Sequence, residues 1–137
     1  MSAIQSHLAT NPTHLLVRVL QFDALTCLAM GLLLVLAKAA LAPLLGLPPT
    51  LLLVAGLLLF PCAALMWLTG RSARPAIPLV WVVVLGNVAW VLASLLVAFA
   101  WLTPTALGQI FLVAQALAVL GLAALEYVGL RRARHLA

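Results

Sequence analysis

Hydrophobic residues run along the chain in four long segments, and the polar and helix-breaking residues are gathered between them. The segments cover about residues 20–42, 51–69, 78–102 and 106–130, and the breaks between them contain proline, glycine or arginine. A bilayer is crossed by roughly 20 mostly apolar residues in a helix. We therefore predict four transmembrane helices. The first should begin near Leu16 or Leu20 and end at Pro43.

Runs such as Leu51–Val54 and Leu57–Phe60 are apolar at every position. The strands of a membrane β-barrel alternate between apolar and polar residues, so these runs exclude a barrel. The predicted fold class is all-α, a four-helix transmembrane bundle that forms one membrane domain over residues 1–137.

The composition restricts the class of protein further. Hydrophobic residues make up 67% of the chain and charged residues 7%, and the mean hydropathy is +1.30. Soluble domains carry about 45–50% apolar and ~25% charged residues. This excludes a soluble enzyme, a disordered chain and a disulfide scaffold, and makes membrane lipids the first expected partner.

The basic residues are distributed unequally between the two sides of the predicted membrane domain. With four spans, both termini and the middle loop share one side, which contains Arg18, Arg71, Arg74, Arg131, Arg132 and Arg134. The opposite side contains only Lys38. The positive-inside rule predicts a multi-pass protein of the bacterial inner membrane with both termini in the cytoplasm. Topology thus explains the net charge of +5, and we expect no nucleic-acid partner.

The two halves of the chain resemble each other in part. Ala63–Trp67 is similar to Ala123–Tyr127, each followed by an arginine-rich turn, and Asp23 occupies a place similar to that of Asn87. Two tandem helical hairpins related by a parallel repeat would produce this pattern. A chain so rich in Leu, Ala and Val also matches itself by chance, so both explanations stay open.

Three polar residues, Asp23, Asn87 and Glu126, fall inside spans at a similar depth, about one to two turns from the cytoplasmic ends. Polar groups in lipid are costly and are functional candidates. If the three face one another, they form a polar pocket open to the cytoplasm. The short distance to the helix ends favours a simpler interpretation, in which both acids pair with arginines among the headgroups.

Trp90 and Gln115 complete the set of candidate pocket residues. Trp90 follows Asn87 by three positions, so the two share one helix face. Gln115 lies on the outer half of the fourth span. An amide there usually forms hydrogen bonds between helices and more rarely lines a cavity.

Small residues also recur at helical spacing. Ala89 and Ala93 on the third span and Ala114 and Ala118 on the fourth are each four positions apart, with Gly86 and Gly121 extending the same two faces. Small residues let helices approach closely, either within one chain or between two. We expect a homo-oligomer or a larger membrane complex.

Several chemistries are excluded by residue type. The histidines, His7, His14 and His135, fall outside the spans, which excludes a bis-histidine haem and argues against a metal site. The chain has no glycine-rich phosphate loop, and it contains a single aspartate. We therefore expect no enzyme activity, no metal and no cofactor.

The sequence resembles two groups of membrane proteins. The segments that carry the first resemblance are Asp23–Leu34, Leu44–Pro48, Asn87–Ser94, Pro104–Ala116 and Tyr127–Arg132. They are similar to a group of uncharacterised small four-helix integral membrane proteins from bacteria, which implies a fold and a compartment but no activity. The topology is also similar to that of the small multidrug resistance transporters, whose membrane-embedded glutamate lies in mid first helix. Here the first-helix acid is Asp23, closer to the cytoplasmic end, so that mechanism is unsupported.

The sequence thus favours a non-catalytic membrane module, either an accessory or scaffold subunit or a self-associating bundle. The alternative is a small-molecule binder or transporter whose pocket is formed by Asp23, Asn87, Trp90, Gln115 and Glu126.

Overall fold

The described chain is almost entirely helical. A computed structural model describes residues 14–72 and 75–135, with side chains up to residue 132. Within these ranges the helices are α1 (His14–Leu36), α2 (Lys38–Leu45), α3 (Pro49–Arg71), α4 (Ile77–Leu96) and α5 (Ala106–His135). A π-helical turn, Val97–Trp101, prolongs α4. Helices α1, α3, α4 with its π turn, and α5 are each long and apolar enough to cross a bilayer, so the protein is a four-span membrane protein.

The first span differs from the prediction at both ends. It begins at His14, earlier than expected, and the helix is interrupted at Ala37 before continuing as α2, which contains Pro43. Pro43 lies inside α2 and does not end it, although its ring removes one N–H from the backbone ladder. The stop is Gly46, whose left-handed conformation (φ 67°) lets the N–H groups of Gly46 and Leu47 both bond to the Ala42 carbonyl.

The helices run up and down, which places the ends at His14, Arg71, Ile77 and His135 on one side, called here the terminal side. The turns between α2 and α3 and between α4 and α5 lie on the opposite, distal side. These two turns are bonded to each other. The Thr105 N–H donates to the Leu45 carbonyl (3.1 Å), and the Thr105 hydroxyl donates to the Leu44 carbonyl (2.7 Å).

The spans pack as two pairs. Helix α1 packs closely on α3, and α4 on α5, while α1 joins the pairs through α5. Gly31 and Gly56 allow the first contact, because a Cβ atom added to either would lie 3.0 Å from the carbonyl oxygen of the other. In contrast, α3 and α4 touch at few points, which leaves a lateral cleft between the second and third spans.

The small residues selected from the sequence are not the ones that bring these helices together. Ala89, Ala93, Ala114 and Ala118 are exposed, and a Cβ atom added to Gly86 or Gly121 would meet nothing within 4 Å. The sequence left open a contact within one chain or between two. The exposure of these residues argues against the first, and the second stays a prediction. The spacing criterion cannot distinguish an inward face from a lipid-facing one.

Burial supports the internal repeat. The buried residues Leu16, Val19, Leu20, Asp23 and Leu34 of the first span have buried counterparts 64 positions later. These counterparts are Val80, Val83, Val84, Asn87 and Ala98. In the second and fourth spans, Leu52, Gly56, Ala63, Met66, Thr69 and Gly70 match buried positions 60 later. No gap is needed in either alignment.

Candidate functional site

A triad of buried polar side chains crosses the middle of the bundle. The Asn87 amide nitrogen donates to Asp23 Oδ2 and to Glu126 Oε1, both at 2.8 Å. Two carboxyl groups from different helices are thus bridged by one amide, and these two oxygens lie no further apart than twice that distance. Glu126 is completely buried, and Asp23 and Asn87 are 1% and 6% exposed.

The three residues meet because each lies at the same height on its helix. Asp23 is nine residues from His14, Asn87 ten from Ile77, and Glu126 nine from His135. At 1.5 Å per residue this places the triad about 14 Å from the terminal-side helix ends. The shared depth inferred from the sequence is present, but the site is deeper than one or two turns.

A layer of apolar side chains closes the triad on the terminal side. Its members precede Asp23 on α1, precede Asn87 on α4 or follow Glu126 on α5, and they include Leu16, Leu20, Val80, Val83 and Leu130. The sequence predicts a polar pocket open toward the termini if the three residues face one another. They do meet, but the layer of described residues on their terminal side is apolar. Among the described residues, this part of the bundle is packed with buried aliphatic side chains.

The alternative prediction, that the acids pair with arginines, is also not observed. Among the described side chains, neither Asp23 nor Glu126 forms an ion pair; Arg18, Arg71, Arg131 and Arg132 are exposed. The arginines lie more than a turn nearer to the helix ends and point outward. Arg131 instead lies over the ring of Tyr127, 5.9 Å from its centroid.

One atom of the triad lacks a partner. Glu126 Oε2 is a fully buried side-chain oxygen without a hydrogen bond. Asp23 has hydrogen-bond donors near both of its carboxyl oxygens, since the Cys27 thiol also approaches its Oδ1 atom at 3.7 Å. The sequence analysis did not include Cys27 in the site. Its spacing of four residues from Asp23, which places both on one helix face, was the available signal.

A second polar group joins α4 and α5 in the distal half. The Trp90 indole donates to Gln115 Oε1 (2.8 Å), the Gln115 amide donates to Ser94 Oγ (2.7 Å), and the Ser94 hydroxyl donates to the Trp90 carbonyl (2.7 Å). The Gln115 amide also donates to the Leu112 carbonyl (3.1 Å), so the side-chain donors of this Trp90–Gln115–Ser94 group already have acceptors within the protein. Gln115 therefore forms hydrogen bonds between α5 and α4, and it also borders a cavity.

Two cavities lie along the cleft between α3 and α4. The larger, of about 260 Å³, is distal and is bordered by Ala55 and Leu58 of α3 and by Trp90, Ser94 and Gln115. The smaller, of about 160 Å³, lies nearer the middle and reaches Cys27, Cys62 and Asn87. Trp90 borders both cavities, and Asn87 borders the smaller one. Trp90 and Asn87, which share one face of α4, therefore lie along the same cleft. Asp23 and Glu126 border neither of the two cavities.

No group of three metal-ligating side chains occurs within residues 14–72 and 75–135. Comparison of the chain with protein-family models, with curated proteins and with solved structures finds no match. The function therefore has to be argued from the cleft, the triad and the lipid-facing surfaces.

Proposed function

We propose that the protein is a non-catalytic membrane protein that holds the hydrocarbon part of a lipid-soluble molecule in the cleft between α3 and α4. The observation that carries the proposal is the distal cavity of about 260 Å³, which opens between two spans that barely touch. An engineered apolar cavity of about 150 Å³ already binds benzene, while pockets for drug-sized ligands start near ~300 Å³. The cavity suits one hydrocarbon chain or a small ring.

The chemistry of the wall supports an apolar occupant. Aliphatic and aromatic side chains form most of it, and the Trp90–Gln115–Ser94 group uses its donors internally. A polar ligand would have to break these hydrogen bonds, whereas a hydrocarbon leaves them intact. Val54 and Leu58 of α3 border the cavity and are about half exposed, so a molecule enters sideways from the bilayer.

Native mass spectrometry of the gently solubilised protein tests this proposal. The wild-type protein should retain a lipid-soluble molecule that Ala55→Phe, which fills the cavity, loses. Leu57→Phe is the matched control, because Leu57 lies on the same helix, is half exposed and does not border the cavity. Equal retention by the wild-type protein and both variants would contradict an occupant at this place.

A second candidate function is self-association, either as a homo-oligomer or within a larger complex. The observation that favours it is the outward face of α5, on which Ala114, Ala118 and Gly121 leave a shallow, smooth strip. Small residues of this kind permit close packing against a second helix. Ala93 borders the cleft, so Ala118 is the cleaner position for a test.

Ala118→Phe should lower the oligomeric state measured by light scattering in detergent, because the ring would hold two α5 helices apart. Leu117→Phe is the control, since Leu117 is exposed one position away and is already bulky. An unchanged oligomeric state in Ala118→Phe would remove this face as an interface.

We further infer that the protein resides in the bacterial inner membrane with its terminal side in the cytoplasm. The exposed arginines at positions 18, 71, 131 and 132 lie on that side, and Lys38 lies on the distal part of the chain. This distribution follows the positive-inside rule.

A further inference from the structure

The triad contains the only two acidic side chains of the whole protein, and both are buried in the membrane interior. We propose that Asp23 and Glu126 form a proton-binding site inside the bilayer, which holds a single proton at neutral pH, carried by Glu126. This inference does not depend on an occupant of the cleft.

Geometry argues against two ionised carboxylates. One amide nitrogen bridges the pair, so the two groups lie side by side, and the two bridged oxygens are separated by at most twice 2.8 Å. Two negative charges at such a distance in a dry environment repel strongly, and carboxyl pairs in this arrangement commonly share a proton.

No basic side chain among residues 14–72 and 75–132 pairs with the two carboxyl groups to relieve this repulsion. The titratable groups that face the pair are the Cys27 thiol from α1 and, farther along the cleft, the Cys62 thiol from α3. The facing residue of α4 is Asn87, which is neutral. No arginine, lysine or histidine among the described side chains forms an ion pair with either carboxyl group.

The hydrogen bonds indicate which residue carries the proton. Asp23 receives the Asn87 amide on one oxygen and the Cys27 thiol on the other, and both donors stabilise a negative charge. Glu126 receives Asn87 on Oε1, while Oε2 is buried without a partner. A proton on Glu126 Oε2 turns an unsatisfied acceptor into a donor, and the neighbouring Asp23 carboxylate is the acceptor that this donor needs.

Exchange of this proton would take place from the cleft. The apolar layer around Leu16, Leu20 and Leu130 closes the terminal side. Asn87 and Cys27, which both contact Asp23, border the smaller cavity. Polar groups in contact with Asp23 therefore border the cleft, whereas the layer on the terminal side is apolar.

Infrared difference spectroscopy of the protein in lipid nanodiscs tests the proposal. A protonated carboxylic acid has a carbonyl stretch that is distinct from the bands of a carboxylate, and only two side chains of this protein can produce it. The wild-type protein should show one such acid per chain at neutral pH, and the band should disappear at alkaline pH. The double variant Asp23→Asn/Glu126→Gln, which keeps the terminal carboxyl group, provides the baseline.

The single variants identify the carrier. Glu126→Gln should lose the acid band, because an amide replaces the carboxyl group that carries the proton. Asp23→Asn should keep it. Absence of the band from wild-type protein overturns the site, and a band that persists in Glu126→Gln overturns the single proton on Glu126. Circular dichroism of each variant establishes that the helices are retained, and the wild-type spectrum decides the main point even if a variant fails to fold.

Discussion

Asn87 is the residue on which the interior of the bundle depends most. It links α4 to both α1 and α5, and it does so with a single amide nitrogen. A buried carboxyl oxygen that loses its hydrogen-bond donor cannot replace it with water. The loss therefore costs the full desolvation free energy of that oxygen.

We expect Asn87→Ala to lower the free energy of unfolding by about 1–3 kcal/mol, since it leaves two buried oxygens without a donor. Denaturant titration of the helical signal in mixed micelles measures the change. The control is Val88→Ala, at the neighbouring position that is 37% exposed. Equal losses of stability in the two variants would argue against a central role for the amide.

At this scale the sequence identified the polar residues and their common depth, because charged and amide side chains are conspicuous in an apolar chain. It did not reveal that the carboxyl groups of Asp23 and Glu126 are fully buried. Whether Asp23 turns to Asn87 or to an arginine depends on helix rotation, which the uniformly apolar faces around it do not determine.

At the scale of the helices, the number of spans and most of their ends were predictable. Long apolar runs and their proline and glycine breaks are strong signals, and the third span ends within a residue of the prediction. The packing faces were not predictable. Nearly every face of these helices is apolar, so hydrophobic periodicity, which identifies the core side of a soluble helix, has little contrast here.

Glycine substitutions should distinguish the helix faces that pack against another helix from the faces that do not. Gly56→Val places a side chain where an added Cβ atom already lies 2.8 Å from Val35 and 3.0 Å from the Gly31 carbonyl. We expect a loss of about 1–3 kcal/mol through overpacking of α1 against α3. Thermal unfolding in detergent, followed by circular dichroism, measures it.

Gly86→Val is the matched control, because the same change at Gly86 meets open space. Its unfolding temperature should stay close to that of the wild-type protein. A Gly86→Val variant as unstable as Gly56→Val would mean that the cleft face of α4 is covered by something that the single chain does not show.

At the scale of the whole molecule, the bundle consists of two helical hairpins that differ in their contacts. The burial patterns match at fixed offsets, yet α1 packs on α5 whereas α3 hardly touches α4. Most buried positions therefore correspond between the halves, although buried Ala24 and Gly31 match the exposed Val88 and Leu95, and the cleft is present on one side only. Sequence similarity alone suggested the repeat; the gapless alignment became visible with the burial of each residue.

Orientation in the membrane is a testable property of the whole chain. Reporter fusions at the C-terminus should be active only when the reporter functions in the cytoplasm, because the arginines of the terminal side resist translocation. A reporter placed in the distal turn near Pro48 should behave oppositely. Activity of a periplasmic reporter at the C-terminus would reverse the proposed orientation.

The hydrogen bonds between the two distal turns also determine what the protein presents to reagents outside the membrane. Thr105 ties its own turn to Leu44 and Leu45, and Leu47 is buried beneath them, so this end has no projecting loop. A protease or an antibody needs several residues of free backbone, and none is available among the described residues of this side. Labels for the distal side are therefore best attached through engineered single cysteines at exposed positions such as Thr103, which leave the tied backbone uncut.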